Sequence, residues 1–168
     1  MRAGTAEVDL SSFYAMYEAW ALERSERRRI PRSLALIAAR RRDPYRKFEA
    51  VAEALGARLI VWVASLEGQT VAASVQIIHG EHSTYWRGSG LRRAHGRARA
   101  TYLLQARMVQ EACERGCRWH HMGESGSLAS LEHFKTTFGG QRRTYAEYYD
   151  ERVPVMKSGR AFGSMQSW

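Results

Sequence analysis

The chain has 168 residues, of which 45% are hydrophobic and 26% charged, so length and composition favour one globular domain and exclude a disordered or disulfide-stapled protein. No apolar run approaches the roughly 20 residues that span a bilayer, and the N-terminal residues lack the apolar core of a signal peptide, so we expect a cytoplasmic protein without a membrane span. The formal net charge of +9, mostly from arginine, favours a polyanionic partner such as tRNA or a phosphorylated cofactor, the alternative being a basic protein from an arginine-rich proteome.

Apolar residues at helical spacing predict a first helix near the N-terminus. Asp9 or Ser11 can cap a helix through "FYAMYEAWALER", because each offers a side-chain oxygen to the first free N–H groups. The apolar residues of this segment recur every three or four positions, which predicts one face buried as core or cavity wall. That face comprises Phe13, Met16, Tyr17 and Trp20.

Two shorter helices are predicted after the basic segment "RSERRRIPR". Pro31 precedes the first of them, "SLALIAARRR". The second, "DPYRKFEAVAEALG", has Asp43 as the expected cap, Pro44 at the first helical position and Gly56 at its end.

From residue 57 the apolar period changes from that of helices to that of strands. The segments "ARLIVWVASL", "TVAASVQIIHG" and "HSTYWRG" predict three strands, joined by turns at Glu67-Gly68 and near Gly80-Glu81. Short turns join antiparallel neighbours, so we expect a three-stranded antiparallel meander.

A long helix, a short strand, another helix and a last strand complete the pattern. The helix "ATYLLQARMVQEACERG" is expected to end at Gly116. Its apolar stripe comprises Leu103, Leu104, Met108 and Ala112. "CRWHHMG" predicts a strand, "LASLEHFKTTFG" a helix and "RTYAEYYDERV" a last strand that carries Tyr145, with a loose tail or edge strand from Pro154 onward.

Cys113, Cys117, His120 and His121 form a C-x3-C-x2-H-H pattern that is compatible with zinc. The helix-to-strand break at Gly116 sends these side chains in different directions. We therefore expect no metal site, and two cysteines that pack as reduced thiols.

The order of these elements predicts an α/β layered (α+β) domain. We expect a single domain over residues 1–168, with a mixed, mostly antiparallel sheet, helices on both faces and a right-handed parallel crossover around residues 82–122. This order resembles the GNAT (N-acetyltransferase) fold over nearly the whole chain.

A basic loop lies between the third strand and the long helix, where the free first-turn N–H groups and the helix dipole favour anions. Its sequence "RAHGRA", residues 93–98, fits R-x-x-G-x-A, which resembles the motif with which GNAT enzymes bind the pyrophosphate of coenzyme A. The resemblance implies a cofactor-binding loop of Arg92, Arg93, Gly96, Arg97 and Ala98. The alternative is an ordinary solvated basic loop.

A second resemblance is carried by "YWRGSG", "TYLLQARMVQEACERGCRWHHMGES" and "LEHFKTTFGG". In this order they resemble the catalytic half of Fem-type peptidoglycan aminoacyltransferases and their relatives, a GNAT-like group that includes leucyl/phenylalanyl-tRNA–protein transferases. The resemblance implies a Phe-Lys pair in which Lys135 handles the tRNA end and the developing charge while Phe134 shapes the pocket. Trp86, Arg87 and Ser125 are further candidate substrate-binding residues in these segments. For Lys135 the alternative is a solvated helix lysine.

Amide formation needs an amine that loses its proton, a polarised acyl carbonyl and an acid for the leaving group. Glu124, just after the short strand, is the candidate base, directly or through water. His120 and His121 face opposite sides of a strand, so one packs and the other faces the cleft, and we take His121 as the catalytic candidate. Tyr145 offers a phenolic acid on the last strand. A solvated carboxylate and a half-buried tyrosine are the alternatives for Glu124 and Tyr145.

The sequence therefore predicts an N-acyltransferase that joins an activated aminoacyl group to an amine on a small molecule or peptide. Aminoacyl-tRNA is the favoured donor, because it agrees with the +9 charge and with the second resemblance, and no tightly bound cofactor is expected. One alternative is an N-acetyltransferase that uses acetyl-CoA or another acyl-CoA. Another is a non-catalytic nucleic-acid-binding module, in which the arginines of residues 27–42 and 92–99 form a phosphate track.

Overall fold

The computed structural model describes residues 2–4, 6–91, 99–126 and 128–144. The chain divides into two compact units, Met1–Gly123 and Glu124–Trp168, which are described in turn. One domain over residues 1–168 stays a prediction.

The first unit begins with a short strand and three helices and continues with the central strands. Its first elements are β1 Arg2–Gly4, α1 Ala6–Arg28, α2 Arg32–Arg42 and α3 Tyr45–Leu55, followed by a 3-10 turn, Gly56–Arg58. Then come β2 Leu59–Leu66, β3 Gln69–His79, β4 His82–Gly90, α4 Ala100–Glu114 and β5 Trp119–His121.

The five strands form one sheet in the order β1-β2-β3-β4-β5. The first four are antiparallel neighbours, whereas β5 pairs with β4 in parallel through three residues only. Glu67 and Gly68 join β2 to β3 with φ angles of 52° and 78°, the left-handed pair that suits a two-residue hairpin. The mixed, mostly antiparallel α/β layered sheet and the parallel β4–β5 connection predicted from the sequence are confirmed.

Helices cover both faces of the sheet, as the sequence predicts. On one face Phe13 of α1 and Phe48 of α3 pack on Val61 and Val75. On the other face Leu104 and Met108 of α4 pack on Ile60, Trp62 and Ala72 of the same strands. Alternate residues of a strand point to opposite faces, so each strand serves both cores.

Three predicted details of the helices were wrong. Asp9 and Ser11 are not at the start of α1, which begins at Ala6 and includes Leu10, a residue of the core. Asp43 does not cap α3 either; Pro44 holds that position, and Asp43 ends α2 with a buried side chain. Leu103 is 47% exposed.

The α4 stripe passes through residues four apart, Leu104, Met108 and Ala112, and Leu103 lies about 100° away from it. Gly56 does end α3, with φ 52°. The first strand, β1, was not predicted, because a strand of three residues carries no recognisable alternation. Among the described helices, none has both the length and the apolar content to cross a bilayer.

The described part of the second unit is built on one helix, α5 Ala129–Thr136. Its end is closed by Gly139, which has φ 74° and donates its N–H to Thr136, while the Gly140 N–H reaches back to Lys135 at 3.1 Å. This is the pattern of a glycine-terminated helix, and it explains why the double glycine follows the Phe-Lys pair.

Candidate functional site in the first unit

β4 contains a β-bulge at Trp86. Val75 pairs with Arg87 and Gln76 pairs with Tyr85, so Trp86 is an extra residue on β4 with no partner on β3. Such a bulge changes the side to which neighbouring side chains point. Trp86 and Arg87 therefore both reach the face of the sheet that α1 and α3 cover, where Trp86 packs on Phe48 with ring centroids 5.2 Å apart.

A cavity of about 300 Å³ opens on this face. Three aromatic side chains of α1, four charged side chains and two small residues of β4 line it. They are Phe13, Tyr17, Trp20, Arg42, Asp43, Lys47, Arg87, Gly88 and Ser89.

The charged wall is organised around the carboxylate of Asp43, which is only 4% exposed. Lys47 Nζ donates to Asp43 Oδ1 at 2.7 Å, and the guanidinium groups of Arg42 and Arg87 approach the same carboxylate at 3.6 Å. Burial raises the pKa of Asp43, but the hydrogen bond from Lys47 and the nearby positive charges outweigh it and hold that pKa below its usual value. Asp43 is therefore an anion at neutral pH.

The aromatic wall is held by hydrogen bonds to the same cluster. The Tyr17 hydroxyl donates to the carbonyl oxygen of Ala39 at 3.3 Å and accepts from Arg42 Nη2 at 3.0 Å. The rings of Tyr17 and Trp20 are stacked with centroids 6.0 Å apart. The cavity thus has an apolar side and a cationic side, and the buried Asp43 carboxylate holds the cationic side.

The edge of β4 that faces away from β3 offers backbone amide groups. Leu91 N donates to Val71 O at 2.9 Å, so residues 91 and 71 are a hydrogen-bonded pair of the antiparallel ladder. Such pairs alternate with pairs that are not hydrogen-bonded, and the amides of the latter point away from the partner strand. Gly88 and Gly90 occupy those positions. Because β5 pairs only with His82, Ser83 and Thr84, no described strand covers this edge.

The Tyr85 side chain lies against Gly88 on the α4 side of the sheet. A Cβ atom added to Gly88 would overlap the Tyr85 hydroxyl oxygen and lie 2.8 Å from two carbons of its ring. Burial raises the pKa of Tyr85, although Arg87 opposes this. Position 88 therefore admits only glycine while Tyr85 keeps its place.

His120 lies in a buried polar network on the α4 side. Its Nδ1 is 2.8 Å from Ser83 Oγ and its Nε2 is 2.7 Å from Gln105 Nε2. Gln76 extends the network, since its Nε2 donates to Ser83 Oγ at 2.8 Å. Burial, assisted by the charge of His121, lowers the pKa of His120 to about 4, so its imidazole is neutral at pH 7.

His120 is expected to make stability depend on pH. Its pKa in the fold is about 4, below the ordinary 6.5. Between pH 4 and pH 6.5 this imidazole is therefore protonated in the unfolded chain and neutral in the folded chain. The free energy of unfolding should therefore fall as the pH drops through this window. His120→Gln, which keeps hydrogen-bonding groups but does not titrate, should flatten the curve obtained from urea unfolding. Equal curves would contradict this, and His79→Gln, an exposed histidine outside the network, is the control.

His121 lies on the opposite side of β5, as the alternation predicts. It is exposed, and its Nε2 is 2.9 Å from His82 Nδ1 with the two rings stacked. It does not line the cavity, and its catalytic role stays a prediction. Cys113 is exposed and Cys117 half-buried, and the described residues contain no cluster of three groups suited to a metal.

A family model described as an acetyltransferase (GNAT) domain matches residues 1–136. The chain belongs to this family. The GNAT resemblance seen in the sequence is thereby confirmed, as is the class of acyltransferase. The closeness to Fem-type enzymes is a finer statement that the match does not carry. The sequence has no match among the curated proteins.

Solved structures share this GNAT fold at low identity. One is an aminoglycoside acetyltransferase from an uncultured soil metagenomic sample, in complex with sisomicin. It aligns with a TM-score of 0.58 and 14% sequence identity, and the alignment covers 90% of this chain and 95% of that chain. Another is AAC(6')-Iy with a bisubstrate analogue, CoA-S-monomethyl-acetylneamine. It aligns with a TM-score of 0.55 and 14% sequence identity over 66% of this chain and 82% of that chain. A third is a transcriptional regulator from Bacillus halodurans. It aligns with a TM-score of 0.57 and 14% sequence identity over 89% of this chain and 99% of that chain. Such likenesses concern the fold alone.

The described part of the second unit of this GNAT chain holds four of the sequence-predicted site residues, Glu124, Ser125, Phe134 and Lys135. Lys135 on α5 is half-buried, and burial lowers its pKa while Glu124 opposes the change. Phe134 meets Phe138 edge to face with ring centroids 5.3 Å apart. Ser125 accepts the Leu128 N–H at 3.2 Å through its carbonyl. Their roles stay predictions.

The remaining predicted residues lie outside the part of the chain that the structure describes. They are Arg92, Arg93, Gly96, Arg97 and Ala98 of the basic loop, and Tyr145.

Sequence reasoning found the aromatic wall of the cavity of the GNAT domain, as part of the apolar face of the first helix, but missed its charged cluster. Of the two candidate residues on the bulge, Arg87 lines the cavity, whereas Trp86 does not line it and packs on Phe48. Arg42 and Lys47 were not singled out, and Asp43 was interpreted only as a helix cap. One signal was available: an aspartate four residues before a lysine and directly after three arginines is typical of a charge cluster.

Proposed function

We propose that this protein is an N-acyltransferase that takes its acyl group from acetyl-CoA or another acyl-CoA. The observation that carries the proposal is the position of Gly88. Its backbone lines the cavity next to Arg87 and Ser89, and its amide group is directed to the edge of β4 that β5 leaves uncovered. An amine in the cavity and an acyl group along the edge would meet at this one residue.

The contribution of the chain to the reaction is mainly positional. The N–H groups of Gly88 and Gly90 point to the uncovered edge of β4. A thioester carbonyl oxygen bound along that edge would accept from them, and these backbone donors would stabilise the negative charge that develops on it. The neutral amine forms a C–N bond to the carbonyl carbon, and the C–S bond breaks. The proton lost by the amine ends on the departing thiolate, so amide and free thiol are the products.

The sequence supports a coenzyme A donor independently of the cavity. The loop that carries Arg92, Arg93, Gly96, Arg97 and Ala98 precedes α4, and the beginning of a helix favours anions through its dipole and its backbone N–H donors. Backbone donors and arginine forks together suit a diphosphate. AAC(6')-Iy, which shares the fold, has been solved with a bisubstrate analogue that contains coenzyme A.

The donor is tested by following label from radioactive acetyl-CoA and from aminoacyl-tRNA into a panel of amines. We expect label to move from acetyl-CoA. Transfer from aminoacyl-tRNA alone would overturn the proposal.

A second candidate keeps aminoacyl-tRNA as the donor. It is favoured by the +9 net charge and by the Fem-type resemblance around Phe134 and Lys135. Binding through tRNA phosphates would weaken steeply with salt, whereas acyl-CoA makes far fewer phosphate contacts. The salt dependence of transfer therefore separates the two donors.

Under this second candidate, Lys135→Ala is expected to lower aminoacyl transfer about tenfold or more, the scale of losing one charged contact to the transition state. Lys135→Arg keeps the charge and should retain more activity. Transfer rates are measured on variants whose unfolding curves match the wild type. An unaltered rate in Lys135→Ala would remove this role from Lys135.

A further inference from the structure

The cationic side of the cavity carries more positive charge than its carboxylate neutralises. Arg42, Lys47 and Arg87 all lie within 4 Å of Asp43, so three cations share one anion. No other acidic side chain lines this cavity in the described residues. The described residues of the wall therefore carry a surplus of two positive charges.

The two arginines have hydrogen-bonding capacity left over. Only Lys47 makes a short contact to Asp43, at 2.7 Å; both guanidinium groups stand at 3.6 Å, beyond ordinary hydrogen-bond length. The Arg87 side chain is 45% exposed and that of Arg42 59%. Each guanidinium has five N–H donors in a planar fork that suits carboxylate and phosphate oxygens.

We propose that the acceptor is a small amine that also carries an anionic group, a carboxylate or a phosphate, bound by Arg87 and Arg42. The proposal rests on the proposed acyl-transfer function and names its substrate class. Trp20, with the ring of Tyr17 stacked beside it, then contacts an apolar or aromatic body between the anion and the amine. A volume of about 300 Å³ suits a body of roughly one ring.

The order of residues along β4 places the two ends of this acceptor. Arg87 and Gly88 are consecutive, so their Cα atoms are about 3.8 Å apart. An anion held by the Arg87 side chain, at the far end of its flexible stem, leaves the amine within reach of the Gly88 amide edge. One strand would thus set both the specificity contact and the reacting position.

The positive charge of this cavity is opposite to the negative charge that a binding site for a cationic aminoglycoside requires. Aminoglycosides carry several protonated amines, and three neighbouring cations repel them, because like charges in a partly desolvated cavity interact strongly. The soil acetyltransferase solved with sisomicin shares the fold, but the present cavity is expected to reject that class of acceptor.

The test uses three acceptors with the same body and the same reacting amine. They are 4-(aminomethyl)benzoate, 4-(aminomethyl)phenyl phosphate and the neutral 4-(aminomethyl)benzamide. We expect kcat/KM with acetyl-CoA to be at least about tenfold higher for one or both anionic acceptors than for the amide. The better anion identifies the natural group as carboxylate or phosphate. Equal or faster reaction of the amide overturns the proposal while leaving the acyltransferase function intact.

Variants assign the preference to the cavity. Arg87→Gln and, separately, Arg42→Gln should reduce the preference for the anionic acceptors, chiefly through KM. Arg118→Gln removes an exposed arginine that does not line the cavity and should leave the preference unchanged. A preference that persists in both cavity variants overturns the assignment.

Binding separates failure of this inference from failure of the proposed function. If none of the amines is acetylated, the acyl-transfer proposal fails, and equilibrium binding of the same three compounds is measured by NMR. Tighter binding of the anions by wild type than by Arg87→Gln still supports the anion site. Equal binding of all three overturns it.

Discussion

Gly88→Ala is expected to lower kcat/KM for acetyl transfer by about 100-fold, the scale of displacing reacting groups by about 1 Å. The new methyl group would overlap the Tyr85 hydroxyl oxygen and press on its ring. Tyr85 packs, partly buried, on the core formed by α4 and the sheet, and we expect β4 to shift more than the ring. That shift moves the Gly88 amide and the adjacent cavity wall together. Steady-state kinetics with acetyl-CoA and the best acceptor of the panel measure the loss.

Two companion variants show whether crowding is the cause. Gly80→Asn changes a turn glycine with open space around it, and Asn tolerates its positive φ of 54°, so activity should persist. In a Tyr85→Ala background the obstructing atoms are gone, and adding Gly88→Ala should cost much less than in the wild type. Full additivity of the two substitutions would contradict the role of Tyr85.

Asp43→Asn is expected to reduce the free energy of unfolding by about 2 kcal/mol. Removing one partner of a buried ion pair costs more than this when both partners are buried, and the exposed ends of Arg42, Lys47 and Arg87 reduce the penalty here. The midpoint and slope of urea unfolding give the value. Glu26→Gln, which removes the exposed pair with Arg32, is the control and should cost no more than about 0.5 kcal/mol.

The same carboxylate gives stability a defined dependence on pH. Because the pKa of Asp43 is lower in the fold than its ordinary 3.8, its ionised form stabilises the fold above that value, and this stabilisation is lost as the pH falls through the lower pKa of the fold. Asp43→Asn should remove this acid-side loss. A wild type and variant with parallel stability curves between about pH 5 and pH 3 would mean that Asp43 is not stabilised by its cations.

The predictions that succeeded depend on local patterns. Glu67-Gly68 between two apolar alternations predicted a hairpin, and the chain turns there with both residues at positive φ. Gly56 and Gly116 follow the ends of their helices at positive φ, as expected, because glycine adopts the left-handed conformation without steric cost. The class of the fold followed from the order of such elements.

The predictions that failed depend on contacts between distant residues. Gln105 is buried and Leu103 exposed, against their polarity, because Gln105 binds His120 on another element. Asp43 occupies a position that favours a helix cap, yet its carboxylate is taken by Lys47 and by Arg87, which is 44 positions away along the chain. Local propensity cannot register such partners.

The sequence by itself determined the helices, the hairpins, the layered fold and its resemblance to acetyltransferases, since these depend on periodicity and turn chemistry within a few neighbouring residues. Only the tertiary structure decided where a substrate can bind. The bulge at Trp86 turns Arg87 toward α1, and packing of α1 and α3 on the sheet brings Trp20, Asp43 and Gly88 to one cavity. Shape and charge at that cavity come from three separate segments, and only the folded chain brings them together.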